Sequence, residues 1–173
     1  KQRFPMKSHY SSLLAVCFLL LSLNPLSAAP LTLVEEGKGR AAIVTAADEP
    51  MAKKAGQAIQ TYIQKMSGVT LPLVAEGEPL PSNPAILILV GHTREAEKLG
   101  VKIPAGHNPA VRPEAFEEEG YVIQTKDNRV ILGGNSDGKY RGTLYAAYAF
   151  LEKLGCRWYF PGPWGEVVPK LNT

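Results

Sequence analysis

The stretch Gly133-Gly134-Asn135-Ser136-Asp137-Gly138-Lys139-Tyr140-Arg141-Gly142 decides how this chain is read. It follows the apolar run Arg129-Val130-Ile131-Leu132 and precedes a helical pattern that Gly155 ends. A glycine-rich loop between a strand and a helix is the setting of a phosphate-binding loop, and Gly133 to Lys139 fits the G-x-x-x-x-G-K spacing. The next residue should be the Ser or Thr that holds magnesium, and it is Tyr140. No apolar strand ends in the Asp that would order the metal's water shell, since Ala85 to Val90 runs into Gly91. The stretch therefore reads as a tight strand-to-helix turn. Asn135 and Asp137 bond to the backbone, and the glycines take positive φ. Neither a nucleotide nor another cofactor is expected.

Outward from that turn, Tyr121-Val122-Ile123-Gln124-Thr125 and Arg129 to Leu132 are two strands of a hairpin around Lys126-Asp127-Asn128. Ala85-Ile86-Leu87-Ile88-Leu89-Val90 is apolar throughout rather than alternating, which predicts a central strand covered on both faces. Leu71-Pro72-Leu73-Val74 contains a proline without a ladder donor and reads as an edge strand or a strand start. Leu31 to Val34 and Ala41 to Thr45 flank Gly37-Lys38-Gly39 and read as a hairpin. Ala52, Ala55, Ile59, Tyr62, Ile63 and Met66 recur at three- and four-residue steps, so a helix spans them with one apolar face. Asp48 is placed to cap it, Pro50 suits its first turn, and Gly68 suits a left-handed stop. A short helix from Arg94 to Leu99 is capped by Thr93, and another runs from about Gly142 to Leu154. Val101 to Glu119 holds Pro104, Pro109 and Pro113 and predicts no long element. The fold class is α/β, a mixed β-sheet with two main helices packed on it.

The first residues have the layout of a secretory signal: Lys1, Arg3 and Lys7, the apolar run Leu13 to Leu23, then Leu26-Ser27-Ala28-Ala29 as a cleavage region. The run is short for a membrane span. Residues 1–28 are read as signal peptide, 29–160 as one α/β domain, and 161–173 as the start of a linker to a further domain. The protein is expected to be exported, periplasmic or extracellular, with no membrane attachment beyond the signal. The chain carries 19 Lys and Arg against 16 Asp and Glu. Without the signal's three basic residues the balance is 16 against 16, so nothing favours a nucleic-acid partner. Cys17 leaves with the signal and Cys156 remains alone, so the domain depends on its core rather than on a disulfide. His9, His92 and His107 lie at no metal-ligand spacing.

Glu117-Glu118-Glu119 is the densest carboxylate group, yet adjacent residues entering a strand point in alternate directions and a loop charge run is usually solvated. Asp48, Glu49 and Glu166 show no partner, and no catalytic residue is assigned. Aromatics crowd the C-terminal third. Tyr145, Tyr148 and Phe150 spread around one helix and largely join the core. Trp158 and Trp164 lie by the Pro161-Gly162-Pro163 exit and are as well placed for a sugar ring as for packing. Arg141 can donate bidentate bonds to a carboxylate, including that of a sugar acid. Arg141, Trp158 and Trp164 are therefore the candidate substrate-binding residues, with carbohydrate as the ligand.

Four pieces together resemble the N-terminal domain of secreted alpha-glucuronidases and the similar second domain of beta-hexosaminidases. They are Ala55 to Met66 running into Ser67-Gly68-Val69-Thr70-Leu71-Pro72-Leu73, the strand end Leu87 to Gly91, Gly120-Tyr121-Val122-Ile123, and Gly138 to Trp158. Leu154-Gly155-Cys156-Arg157-Trp158-Tyr159 with Gly165-Glu166-Val167-Val168-Pro169 resembles large exported bacterial proteins that begin with this domain. The resemblance implies a non-catalytic domain that precedes a (β/α)8 barrel, with the acid and base carboxylates in the barrel. It implies an accessory role in an exported glycoside hydrolase that breaks down polysaccharide or glycan, with the barrel as partner. The alternative is a free-standing carbohydrate-binding module.

Overall fold

A computed structural model of the chain describes residues 30–105 and 119–171. The signal assigned to 1–28, and most of the proline-rich stretch after Val101, lie outside the described residues. From Leu31 onward the chain forms one compact unit.

In chain order the elements are β1 (Val34–Glu35), β2 (Lys38–Gly39), β3 (Ala41–Thr45), α1 (Pro50–Ser67), β4 (Leu73–Ala75), β5 (Ile86–Val90) and α2 (Arg94–Lys98). They continue with β6 (Tyr121–Lys126), β7 (Arg129–Gly134), α3 (Gly142–Lys153), β8 (Arg157–Trp158) and β9 (Glu166–Val167). The main sheet has five strands in the order β4-β3-β5-β7-β6. The first four run parallel, and β6 closes one edge antiparallel to β7. The sheet is mixed and the class is α/β, as the sequence predicts.

β5 is the middle strand, and every one of its side chains is buried. Its alternate residues feed two cores. Ile86, Ile88 and Val90 join Ile43, Ile59, Leu132, Ala147 and Leu151 under α1 and α3. Leu87 and Leu89 face the other way, toward Ala42, Val44, Ile131 and Ala96 of α2. Both long helices thus cover one face, while α2 and the Val101–Ile103 turn cover the other. Ile88 is fully buried, so Ile88→Val should cost about 1 kcal/mol through one lost methyl group, read as a lower urea midpoint at unchanged slope.

The hairpin expected between Leu31–Val34 and Ala41–Thr45 does not form. β1 instead pairs with β2 as a two-residue ribbon turned by Glu36 and Gly37, both at positive φ. β3 lies between β4 and β5 in parallel register. The reason is burial: all five residues of β3 are covered, and a strand covered on both faces belongs inside a parallel sheet. β4 is an edge strand, as its proline suggested. Gly68 ends α1 in the left-handed conformation, with φ 78° and its N–H bonded to Gln64 O. Thr93 caps α2 by accepting from Ala96 N at 3.2 Å.

The glycine-rich stretch differs from expectation in one respect. Only Gly138 within it has positive φ. Gly133 and Gly134 are the last residues of β7, and Gly142 begins α3. A Cβ on Gly134 would meet Gly142 C at 2.5 Å and Gly120 O at 2.6 Å. Close backbone approach, rather than turn conformation, demands glycine there. Asn135 does make the expected turn bond, its Oδ1 accepting from Asp137 N at 3.0 Å.

The exit segment lies back on the domain as far as Leu171. β8 pairs with β9, Lys65 Nζ meets Glu166 Oε1 at 2.6 Å, and Leu171 N donates to Met66 O at 3.0 Å. Cys156 is free and buried.

Candidate functional site at the carboxyl edge of the sheet

The four parallel strands release their turns at one edge. The chain leaving β3 passes through α1 to β4 on one side, whereas the strand beyond β5 is β7 on the other. Such a reversal of strand order opens a crevice at the carboxyl ends, where open α/β sheets place ligands. Here it is a cleft of about 640 Å³ whose polar lining includes Glu49, Glu76, His92, Arg94, Ser136 and Asp137.

Glu49 is the centre of its bonding. It stands directly before α1, where Asp48 was expected to cap, but makes no side-chain cap bond. Its carboxylate crosses to two other turns instead. Oε2 accepts from His92 N at 2.9 Å and lies 3.1 Å from His92 Nδ1. Oε1 accepts from Thr143 Oγ1 at 2.6 Å. Thr143 Oγ1 accepts in turn from Ser136 Oγ at 2.7 Å and from Gly134 N at 3.1 Å. One carboxylate thereby ties together the turns after β3, β5 and β7.

Burial alone would push this carboxyl up. The hydrogen bonds from His92, Ser136 and Thr143 outweigh burial and hold it at about 2, against an ordinary 4.5. The same contact with Glu49 raises His92, against the opposing effect of burial. Glu76 is the second engaged carboxylate. It accepts from Arg94 N at 3.0 Å and Arg94 Nε at 3.1 Å, and from Glu95 N at 3.2 Å. Burial raises its pKa, but these bonds carry it below the ordinary range.

This chemistry does not suit Glu49 and Glu76 to act as an acid–base pair in glycoside cleavage. Glycoside cleavage by two carboxyl groups needs one protonated as an acid. Glu49 and Glu76 are both held ionised, with their oxygens already accepting. No group of three or more His, Cys, Asp and Glu among the described residues is placed to hold a metal ion.

The residues singled out in the sequence lie elsewhere. Arg141 is exposed immediately before α3, and its backbone N donates to Glu119 Oε2 at 3.0 Å. Glu117 and Glu118 lie outside the described residues. Trp158 is half-buried. Its Nε1 donates to Tyr62 OH at 3.0 Å, and its ring meets Tyr62 and Tyr148 edge-on at 5.1 Å. Trp164 sits in the Pro163–Gly165 turn and is 91% exposed. Trp158 and Trp164 thus share the β8–β9 end of the molecule. Arg141 stands at the other end of α3, a helix of 12 residues and about 18 Å. Beside Trp158 is an open depression lined by Tyr62, Tyr145, Tyr148, Pro163 and Glu166.

The family model for the glycosyl hydrolase family 67 N-terminus matches residues 31–150. The chain belongs to this family. No curated protein matches the chain. The match takes in the whole five-stranded sheet of this alpha-glucuronidase N-terminal domain, and all but the end of its second long helix. It stops short of β8, β9 and the aromatic exit.

Proposed function

We propose that the chain is the non-catalytic accessory domain of an exported alpha-glucuronidase- or hexosaminidase-like glycoside hydrolase acting on polysaccharide or glycan. In this reading it docks on the catalytic barrel of the same polypeptide through the β8–β9 end. One observation carries the reading: Tyr159, Phe160 and Trp164 are 72%, 56% and 91% exposed within six residues of chain, next to the exposed edge of Tyr148. Large aromatics dominate binding energy at protein interfaces, and burying each contributes roughly 2 kcal/mol. The exit segment, fastened to α1, holds this end in a fixed orientation.

The chain by itself should show red-shifted tryptophan emission that Trp164→Ala removes, and it should self-associate as concentration rises. A strictly monomeric chain whose tryptophans emit as buried residues would overturn the docking proposal. The aromatic depression beside Trp158 favours a second reading, a free-standing carbohydrate-binding module. Titration with uronic-acid and hexosamine oligosaccharides separates the two. Saturable binding lost in Trp164→Ala would replace docking with sugar capture, and no response at millimolar sugar would remove that alternative.

A further inference from the structure

His92 is placed so that both ring nitrogens face acceptors. Nδ1 lies 3.1 Å from Glu49 Oε2, and Nε2 lies 3.1 Å from Pro104 O. A carbonyl oxygen has no proton to give, and an ionised carboxylate has none either. Neutral imidazole carries a single N–H, so it can satisfy only one of these contacts. The arrangement is complete only with the imidazolium.

We propose that His92 is a pH-operated latch, which as imidazolium fastens the Val101–Ala105 turn to the carboxyl edge of the sheet and on losing its proton lets that turn go. Which bond yields follows from the partners. Glu49 is charged and is held in place by Thr143 and by the backbone N–H of His92. A hydrogen bond to a charged acceptor is roughly twice as strong as one to a neutral carbonyl. The neutral ring therefore keeps its proton on Nδ1, toward Glu49, and Nε2 loses its hold on Pro104. Ala105 lines the cleft, so one of its walls loosens as a consequence.

Other charged groups surround the ring without competing for it. Arg94 and Glu97 stand on α2, and Arg94 is engaged with Glu76. Asp48, Glu76 and Asp137 line the same cleft. Among these only Glu49 makes a hydrogen bond to the ring, and contact with it favours the charged form. The latch is therefore closed in mild acid and opens only above the ordinary histidine range. Release stays local, because Val101 N remains bonded to Ala96 O and Ile103 packs with the core beside Gly133.

Two observations on the full chain test this. The first is an NMR titration of the imidazole of His92, and the second is amide exchange across the same pH range. His92 should titrate above 6.5, with both nitrogens protonated below that transition. Protection factors at Lys102, Ile103 and Ala105 should fall several-fold through the same midpoint, while those of Val101, whose N–H stays bonded to Ala96 O, and of β5 and β7 hold steady. In His92→Gln that step should vanish. An ordinary or lowered His92 titration would overturn the proposal, as would protection at residues 102–105 that is flat through the transition.

Discussion

Glu49→Ala should destabilise the domain by about 4 kcal/mol, because it removes a nearly buried carboxylate that three separate turns share. Its side chain is 11% exposed. Without it His92 Nδ1 and His92 N lose their acceptor, and the Thr143 hydroxyl is left with Gly134 O at 2.9 Å alone. Glu49→Gln keeps the shape but sets an NH2 group against a donor, and it should lose about half as much. Urea titration monitored by far-ultraviolet circular dichroism measures both. The pH dependence has a definite sign. A carboxyl lowered from 4.5 to about 2 contributes roughly 3 kcal/mol that is fully present above 4.5 and fades as pH falls through 2. His92 is raised, so its share is fully present below 6.5 and is lost as pH rises through its folded value. The gap between wild type and Glu49→Ala should be widest between 4.5 and 6.5. A gap that stays constant from pH 2 to 5 would contradict the role given to Glu49.

The second large effect is expected at the end of β7. Gly134→Ala would place a methyl group 2.5 Å from Gly142 C and 2.6 Å from Gly120 O, all of it against backbone. No side chain can swing aside, so the start of α3 must shift. That shift would strain the bond from Gly142 N to Asn135 O at 2.6 Å and displace Thr143 from Glu49. A cost of about 3 kcal/mol or more is expected, at the upper end for an overpacked site. Gly138→Ala is the contrast, since open space surrounds its Cβ position and only positive φ opposes it. It should cost about 1 kcal/mol. Equal losses at the two positions would mean that turn conformation, not backbone approach, governs this stretch.

Much of the fold was legible because its signals are local. The uninterrupted apolar run of β5, the three- and four-residue spacing in α1, the Gly68 stop and the Lys126-Asp127-Asn128 turn each carry their meaning within a few residues. The false hairpin at Leu31–Thr45 has an equally physical origin. Turn residues between two apolar runs favour a hairpin locally, but β3 is paired on both sides by β4 and β5 and covered on its faces by α1, α3 and α2, all of them distant in sequence from that turn. The Glu49 centre left no such trace. Its partners lie 43 and 94 residues away in sequence, and only the meeting of three turns at one sheet edge joins them. The signal that does exist is indirect: a Glu before a helix, and a Gly-His pair at the end of the most apolar strand. Arg141, Trp158 and Trp164 suit a sugar acid by their chemistry alone, and the helix read from about Gly142 to Leu154 already separates Arg141 from the two tryptophans.

The docking proposal rests on the aromatic end, and footprinting tests it most directly. Hydroxyl-radical labelling would be compared between this chain and the proposed longer polypeptide, in which a catalytic barrel would follow it. Trp164, Phe160 and Tyr159 should be labelled heavily in the chain and strongly protected in the longer protein, while His92 in the cleft at the carboxyl edge of the sheet is labelled equally in both. Equal labelling of Trp164 and Phe160 in the two proteins would contradict the account.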